Sequence, residues 1–141
     1  MSDRVDDSTS WLLNYAGRLA VRQFAARLQA YNITPPQWGV LVRLVEQDGQ
    51  SLSEIGARAL FDGPTMTGIV DRLEGSGLVE RHRDSADRRV INVYLSDRGR
   101  SLMQSLPPIG QDTDKQLLSS VPAKDLTCFR AALQKVIDNL T

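Results

Sequence analysis

The stretch Leu73–Gly99 reads LEGSGLVERHRDSADRRVINVYLSDRG, and its punctuation decides the fold. Leu73 closes an apolar helical stripe, and Gly77 supplies the left-handed stop that ends a helix. Val79–Arg83 and Val90–Leu95 then read as strands, because Ile91, Val93 and Leu95 alternate with Asn92 and Tyr94 at a period of two. The six residues Asp84–Arg89 connect them, with paired arginines at the tip. Ser96 or Asp97 is placed to cap the next helix. The order is therefore helix, stop, hairpin, capped helix.

Upstream, Met66, Ile69, Val70 and Leu73 mark one face of a helix opened by Asp62-Gly63-Pro64, where Asp62 or Gly63 caps and Pro64 sits in the first turn. Before it, Ser51 and Glu54 stand in the S-x-x-E arrangement of a capping box, and the short helix that follows is predicted to carry Ile55, Ala59 and Leu60 inward. Two short helices joined by a tight turn are a helix-turn-helix. With the hairpin they make a winged helix, mainly α with a small β-hairpin wing. Further upstream, Thr34-Pro35-Pro36 opens a helix whose predicted buried stripe is Trp38, Leu41, Val42 and Val45, ended by Asp48-Gly49. Trp11–Tyr31 reads as a long helix capped by Ser8, Thr9 or Ser10. Downstream, Pro107-Pro108 interrupts a helix containing Leu102, Met103 and Leu106. The helix resumes through Leu117 and Leu118. A last helix after Pro122 carries the stripe Leu126, Phe129, Leu133, Val136, Ile137 and Leu140. About six helices are expected. The divisions are an N-terminal helical region at 1–33, the winged helix-turn-helix at 34–100 and C-terminal helices at 101–141.

The 141 residues are 41% apolar and 24% charged, which is ordinary globular composition. Net charge is +0, low for a nucleic-acid binder. The distribution matters more than the sum. Arg81, Arg83, Arg88, Arg89, Arg98 and Arg100 crowd one segment, opposed within it by Asp84, Asp87 and Asp97, while Asp3, Asp6 and Asp7 supply acid elsewhere. A local basic face on a neutral chain still binds phosphate, with weaker long-range steering. A single cysteine excludes an internal disulfide. No apolar run approaches the ~20 residues of a membrane span. The acidic N-terminus lacks a hydrophobic signal region, so a cytoplasmic protein without membrane association is expected.

The face of the second helix opposite its apolar stripe bears Pro64, Thr65, Thr67, Gly68, Asp71 and Arg72. Small residues near the N-terminus permit close approach to DNA. Threonine hydroxyls and the helix N-terminus can take phosphates, and a threonine methyl can meet a thymine methyl. Arg72 is the long donor suited to guanine. The absence of Asn and Gln leaves adenine without a bidentate reader and puts weight on DNA shape. At the hairpin tip, Arg88 and Arg89 are placed for a narrow minor groove, whose negative potential favours arginine. Asp87 would repel phosphate if free, and is expected to orient a neighbouring arginine through charge-assisted hydrogen bonds.

The run Leu73-Glu74, Gly77-Leu78-Val79, Arg81, Asp87-Arg88-Arg89, Val93, Leu95-Ser96 and Gly99 resembles the signature of the MarR family of bacterial transcriptional regulators, and the likeness extends over nearly the whole chain. The resemblance implies a homodimer on a pseudo-palindromic double-stranded DNA operator, usually as a repressor. It implies a dimer interface formed by Trp11–Tyr31, Ser101–Ser120 and Ala123–Leu140. In the family's Asp-x-Arg pattern, Asp87 is the aspartate, Arg89 the minor-groove arginine and Arg88 its phosphate-binding neighbour. The resemblance also implies release from DNA by a small, often aromatic, anionic molecule held between the dimerisation helices and the winged domain. Trp11, Tyr15, Arg18, Arg22, Tyr31 and Trp38 are the expected lining residues.

The residues themselves agree on dimerisation, because the Leu126–Leu140 stripe continues beyond a complete winged core and two-fold pairing is the commonest solution. Cys128 is read as a structural thiol beside that stripe. His82, the single histidine, is read as facing solvent or phosphate. No metal site or other cofactor is expected. No nucleophile–base pair or phosphate loop stands in suitable context, and Gly75-Ser76-Gly77 is a helix end, so catalysis is not expected. A winged helix that serves as a protein-interaction module without DNA binding is the competing reading.

Overall fold

In the computed structural model, residues 8–59 and 61–141 are described. The elements are α1 (Thr9–Leu28), α2 (Pro35–Glu46), β1 (Gln50–Ser51), α3 (Leu52–Ala59), α4 (Gly63–Gly75), β2 (Val79–Arg83), β3 (Ile91–Leu95), α5 (Asp97–Ser105), α6 (Ile109–Leu117) and α7 (Ala123–Leu140), with a 3-10 turn at Gln29–Tyr31 after α1. Two units divide the chain, Val21–Pro107 on one hand and Met1–Ala20 with Pro108–Thr141 on the other, so that the boundary falls inside α1.

Caps start the helices of the Val21–Pro107 unit. The Gln37 amide donates to Thr34 Oγ1 (3.4 Å) and the Thr34 amide donates to Gln37 Oε1 (3.0 Å), a full capping box ahead of Pro35. The Ser51 amide donates to Glu54 Oε2 (2.8 Å) and the Glu54 amide to Ser51 Oγ (3.2 Å). Ser96 Oγ accepts from the Gly99 amide (3.0 Å) and donates to the Gly77 carbonyl (2.6 Å), so one hydroxyl starts α5 and seals the turn after α4. Gly77 has φ +74°, a conformation a side chain would strain.

The core of this unit draws on α1, α2, α3, α4, β2 and β3: Leu28, Val40, Leu41, Leu44, Ile55, Met66, Val70, Leu73, Val79 and Val93 are fully buried. α4 buries Met66, Ile69, Val70 and Leu73, the stripe read from the sequence. Elsewhere the phase differs. α2 buries Val40, Leu41 and Leu44, leaves Trp38 and Val42 half-buried and turns Val45 to solvent, because the inward face is centred one position earlier than the aromatic residue suggests. α3 buries Ile55 and Gly56, and Ala59 is exposed; Leu60 lies outside the described residues. Gly56 matters for its missing side chain, since a Cβ there would stand 2.8 Å from Met66 Cγ. The helix-turn-helix pair packs through that gap.

The sheet has strand order β1-β3-β2, all antiparallel. Its register pairs Val79 with Leu95, Arg81 with Val93 and Arg83 with Ile91. β1 pairs Gln50 with Val93 and Ser51 with Asn92. Gln50 is buried; its amide donates to the carbonyls of Arg43 (2.8 Å) and Gln47 (2.6 Å), closing the C-terminal end of α2. Asp48 fixes the foot of the wing by accepting from the Leu95 amide (2.8 Å) and pairing with Arg100 (2.6 Å).

In the other unit, the Trp11 amide donates to Ser8 Oγ (3.1 Å), so Ser8 is the cap of α1. Pro107-Pro108 separates α5 from α6. α7 has no buried residue. Along its stripe Leu126, Leu133 and Val136 are half-buried, while Phe129, Ile137 and Leu140 are exposed. Cys128 is exposed, not sheltered beside a buried stripe. α1 likewise exposes Leu12, Leu13, Tyr15 and Leu19. Among the described residues no helix is long and apolar enough to cross a membrane.

Candidate nucleic-acid interface

α4 presents Pro64, Thr65, Thr67, Asp71 and Arg72 to solvent, with Gly68 half-exposed, on the side opposite its buried stripe. Asp62 is the cap. Its Oδ1 accepts from the Thr65 amide (2.7 Å), and hydrogen bonds from the Thr65 side chain and amide hold its carboxyl below the ordinary carboxylate value. Two of the expected phosphate donors are thereby engaged internally. Thr65 points at Asp62, and Thr67 Oγ1 donates to the Gly63 carbonyl (3.0 Å), which leaves the Thr67 oxygen as an acceptor and its methyl for apolar contact. Pro64 has no amide to offer, so the first turn of α4 has little to hold a phosphate. Arg72 is exposed and forms no ion pair among the described residues.

The wing tip is built by two aspartates. Asp84 Oδ1 accepts from the amides of Ala86 (2.8 Å) and Asp87 (3.0 Å), while Oδ2 accepts from Asn92 Nδ2 (3.1 Å). Those bonds, the two amides first, lower its pKa. The Asp84 amide donates to the Val90 carbonyl (2.9 Å) and the Val90 amide to the Asp87 carbonyl (2.9 Å), closing the hairpin. Arg83 Nη1 donates to the Arg88 carbonyl (3.0 Å). Asp87 accepts three hydrogen bonds from Arg89: from the amide (3.0 Å), from Nε (3.1 Å) and, on its other oxygen, from Nη2 (3.2 Å). The Arg89 side chain, then its amide, lowers the Asp87 pKa. The two-pronged carboxylate fixes the plane of a guanidinium that is 90% exposed. Arg88 is exposed beside it.

The arginine crowd thus divides. Arg100 is joined to Asp48, and Arg83 braces the hairpin from inside. Arg81, only 22% exposed, donates from Nη2 to Asp71 Oδ1 and to the Thr67 carbonyl (3.4 Å), tying β2 to α4. Arg88, Arg89 and Arg98 remain exposed, as does Arg72 on α4. Sequence reading missed the Asp84 turn, whose only signal was an aspartate at the strand end, and missed the long-range Arg100 and Arg81 ties. His82 is exposed, 3.3 Å from Glu80 and edge-on to Tyr94.

The aromatic residues expected to line an effector site belong to two units, Trp11 and Tyr15 to one and Tyr31 and Trp38 to the other. Trp11 stacks on Tyr15 (4.8 Å between centroids), whereas Trp38 meets Phe24 edge-on (4.8 Å, 82°). Arg18 is exposed on α1 and Tyr31 half-buried after it. Arg22 alone of the set lines the cavity of about 470 Å³ that also includes Gln29, Asn32, Ile33, Thr34 and Pro35. Among the described residues no cluster of His, Cys, Asp and Glu could hold a metal.

A capped helix-turn-helix backed by a three-stranded sheet, with an arginine clamped at the hairpin tip, defines a winged helix of the transcriptional-regulator class. The comparisons agree. The profile described as the MarR family matches residues 33–91. The HTH-type transcriptional regulator TtmR of Methylorubrum extorquens is 42% identical over 89 residues, 61% of this chain but 46% of that protein, so the match spans just under half of that relative. The uncharacterized HTH-type transcriptional regulator YsmB of Bacillus subtilis is 30% identical over 77% of this chain and 75% of its own length. The crystal structure of a probable transcriptional regulator from Pseudomonas aeruginosa superposes with a TM-score of 0.87 at 28% identity, covering 94% of this chain and 99% of the other. The chain belongs to the MarR family.

Proposed function

We propose that this protein is a homodimeric repressor that binds a pseudo-palindromic operator and is released by a small anionic effector. α4 enters the major groove with Pro64, Thr65, Thr67 and Gly68 against the duplex and Arg72 at a base edge. The wing inserts Arg89 into the adjacent minor groove, with Arg88 at a phosphate. The observation that carries the reading is the Asp87 clamp. An exposed guanidinium normally samples many rotamers, and here it is held in one orientation at the end of a braced hairpin, which lowers the entropy lost on insertion.

Dimerisation is supported by the exposed stripe of α7, where Phe129, Ile137 and Leu140 (81% exposed) form an apolar face that water does not favour. Leu126, Leu133 and Val136 border it. Two-fold pairing sets the recognition helices ~34 Å apart, one turn of B-DNA. For the effector, the cavity at Arg22 supplies a cation, apolar walls and the amides of Gln29 and Asn32, a lining suited to a small aromatic acid.

The test is fluorescence anisotropy with duplexes from the chain's own upstream DNA. Salt-dependent binding that weakens by about 1–3 kcal/mol in Arg89→Ala supports the reading. Binding unaffected by that substitution removes the wing from the interface. Calorimetry with a panel of aromatic acids, using Arg22→Ala as control, tests the effector site.

A further inference from the structure

We propose that Asp71 is a specificity-determining residue: its carboxylate, neutralised and aimed by Arg81, accepts a hydrogen bond from the N4 amino group of a cytosine in the major groove. The inference rests on the reading of α4 as the recognition helix.

Between Gly63 and Leu73, Asp71 is the sole carboxylate. It stands one turn beyond Thr67 on the solvent side, and its side chain is 56% exposed. A bare carboxylate there would be repelled by the phosphates on both sides of the groove. The fold deals with this charge through Arg81, whose guanidinium reaches across from β2 and donates to Asp71 Oδ1. Bracing Arg81 does not by itself require Asp71, because Glu74 already faces it with both oxygens: Oε2 accepts the Arg81 amide (3.2 Å) and Oε1 stands 3.9 Å from Nη1. The Thr67 carbonyl takes a further bond from Nη2. Asp71 differs from Glu74 in that one oxygen only is engaged. Among the described residues, Oδ2 accepts no hydrogen bond. The result is a neutralised, oriented acceptor on a surface that lacks Asn and Gln.

The base edges decide what such an acceptor reads. Guanine offers O6 and N7, both acceptors, and thymine offers O4 and a methyl group, so each disfavours a carboxylate. Adenine offers N6 but flanks it with the N7 acceptor. Cytosine alone presents an amino donor with no acceptor beside it.

The experiment selects binding sites for the full-length protein from a randomised duplex library, then measures affinities for defined duplexes. Wild type is expected to enrich cytosine at one position and its symmetry mate. Replacing that C·G pair by T·A is expected to weaken wild type about 10-fold or more and Asp71→Ala by no more than about twofold. Asp71→Asn, which adds a donor, is expected to shift the preference at that position towards adenine. Arg81→Met is expected to lose the cytosine preference while its salt dependence stays that of wild type, since Arg81 is turned to Asp71, Glu74 and the Thr67 carbonyl within the protein. Unchanged base preference in both Asp71 variants overturns the proposal, and so does an Asp71→Ala protein that folds, by circular dichroism, but loses affinity equally for every duplex. A wild type that enriches no duplex at all refutes DNA binding itself, a failure distinct from either.

Discussion

The Val21–Pro107 unit and the last helix deal with apolar surface in opposite ways. In the first, Leu28, Leu41, Leu44, Ile55, Met66, Leu73, Val79 and Val93 close on one another until almost nothing of them reaches water. In α7, eighteen residues form a continuous helix in which none is buried. Yet the apolar stripe of α7 is as regular as that of α4. A periodic pattern establishes that a face seeks cover, and says nothing of which chain supplies it. Here the winged helix is satisfied within its own chain, and the C-terminal helix leaves its face exposed, the face to which the proposed dimer assigns a second copy.

The contrast can be broken most forcefully from the core side. Leu73→Ala removes a fully buried side chain at the join of α4 with the sheet, and is expected to destabilise the fold by about 2–5 kcal/mol, read from urea unfolding. Ile137→Ser tests the other region. It leaves the single chain's interior untouched, so stability at high dilution should be unchanged, while dimer affinity falls by about 1.5–3 kcal/mol per protomer as the apolar contact is lost. Sedimentation at several concentrations measures this, and an unaltered dimer would place the interface elsewhere. A smaller effect is expected for Ser96→Ala, which removes both the α5 cap and the bond to the Gly77 carbonyl; about 1 kcal/mol by thermal unfolding is anticipated.

The smallest effect concerns acid. Asp84 and Asp87 have folded-state pKa values depressed by the bonds they accept, so their contribution is complete above the ordinary carboxylate value and disappears as pH falls through the lowered one. The wing tip should therefore hold its shape throughout the neutral range and loosen only in acid. Amide chemical shifts of Ala86, Asp87 and Arg89 followed against pH should move together below the usual carboxylate range. Independent titration near neutrality would mean that the turn is held by something else.

Much of this architecture was legible because it rests on local chemistry. Thr34-Pro35, Ser51 with Glu54, Asp62 before Pro64, and Gly77 each act within a few residues, and every one does in the structure what its type dictates. The Asp87–Arg89 pair was legible for the same reason. What escaped was non-local or too short to have a period. β1 is two residues long and exists only because Gln50 and Ser51 lie beside β3. Asp48 and Arg100 are far apart in sequence, and nothing in either neighbourhood announces the other. The inward face of α2 was misplaced by one position because Trp38 and Val45 looked like core residues, whereas packing against the sheet and α4 selected Val40 and Leu44.

One property of the wing tip reaches past this protein. From Arg83 to Asn92, the side-chain bonds that shape the tip begin and end inside the loop, and the stretch is joined to the rest of the sheet at its foot, where Asn92 pairs with Ser51 and His82. Such a cassette is portable. Spliced onto any antiparallel ribbon of matching register, those ten residues should adopt the same posture, so the tip can be exchanged between homologous proteins without renegotiating the scaffold beneath it.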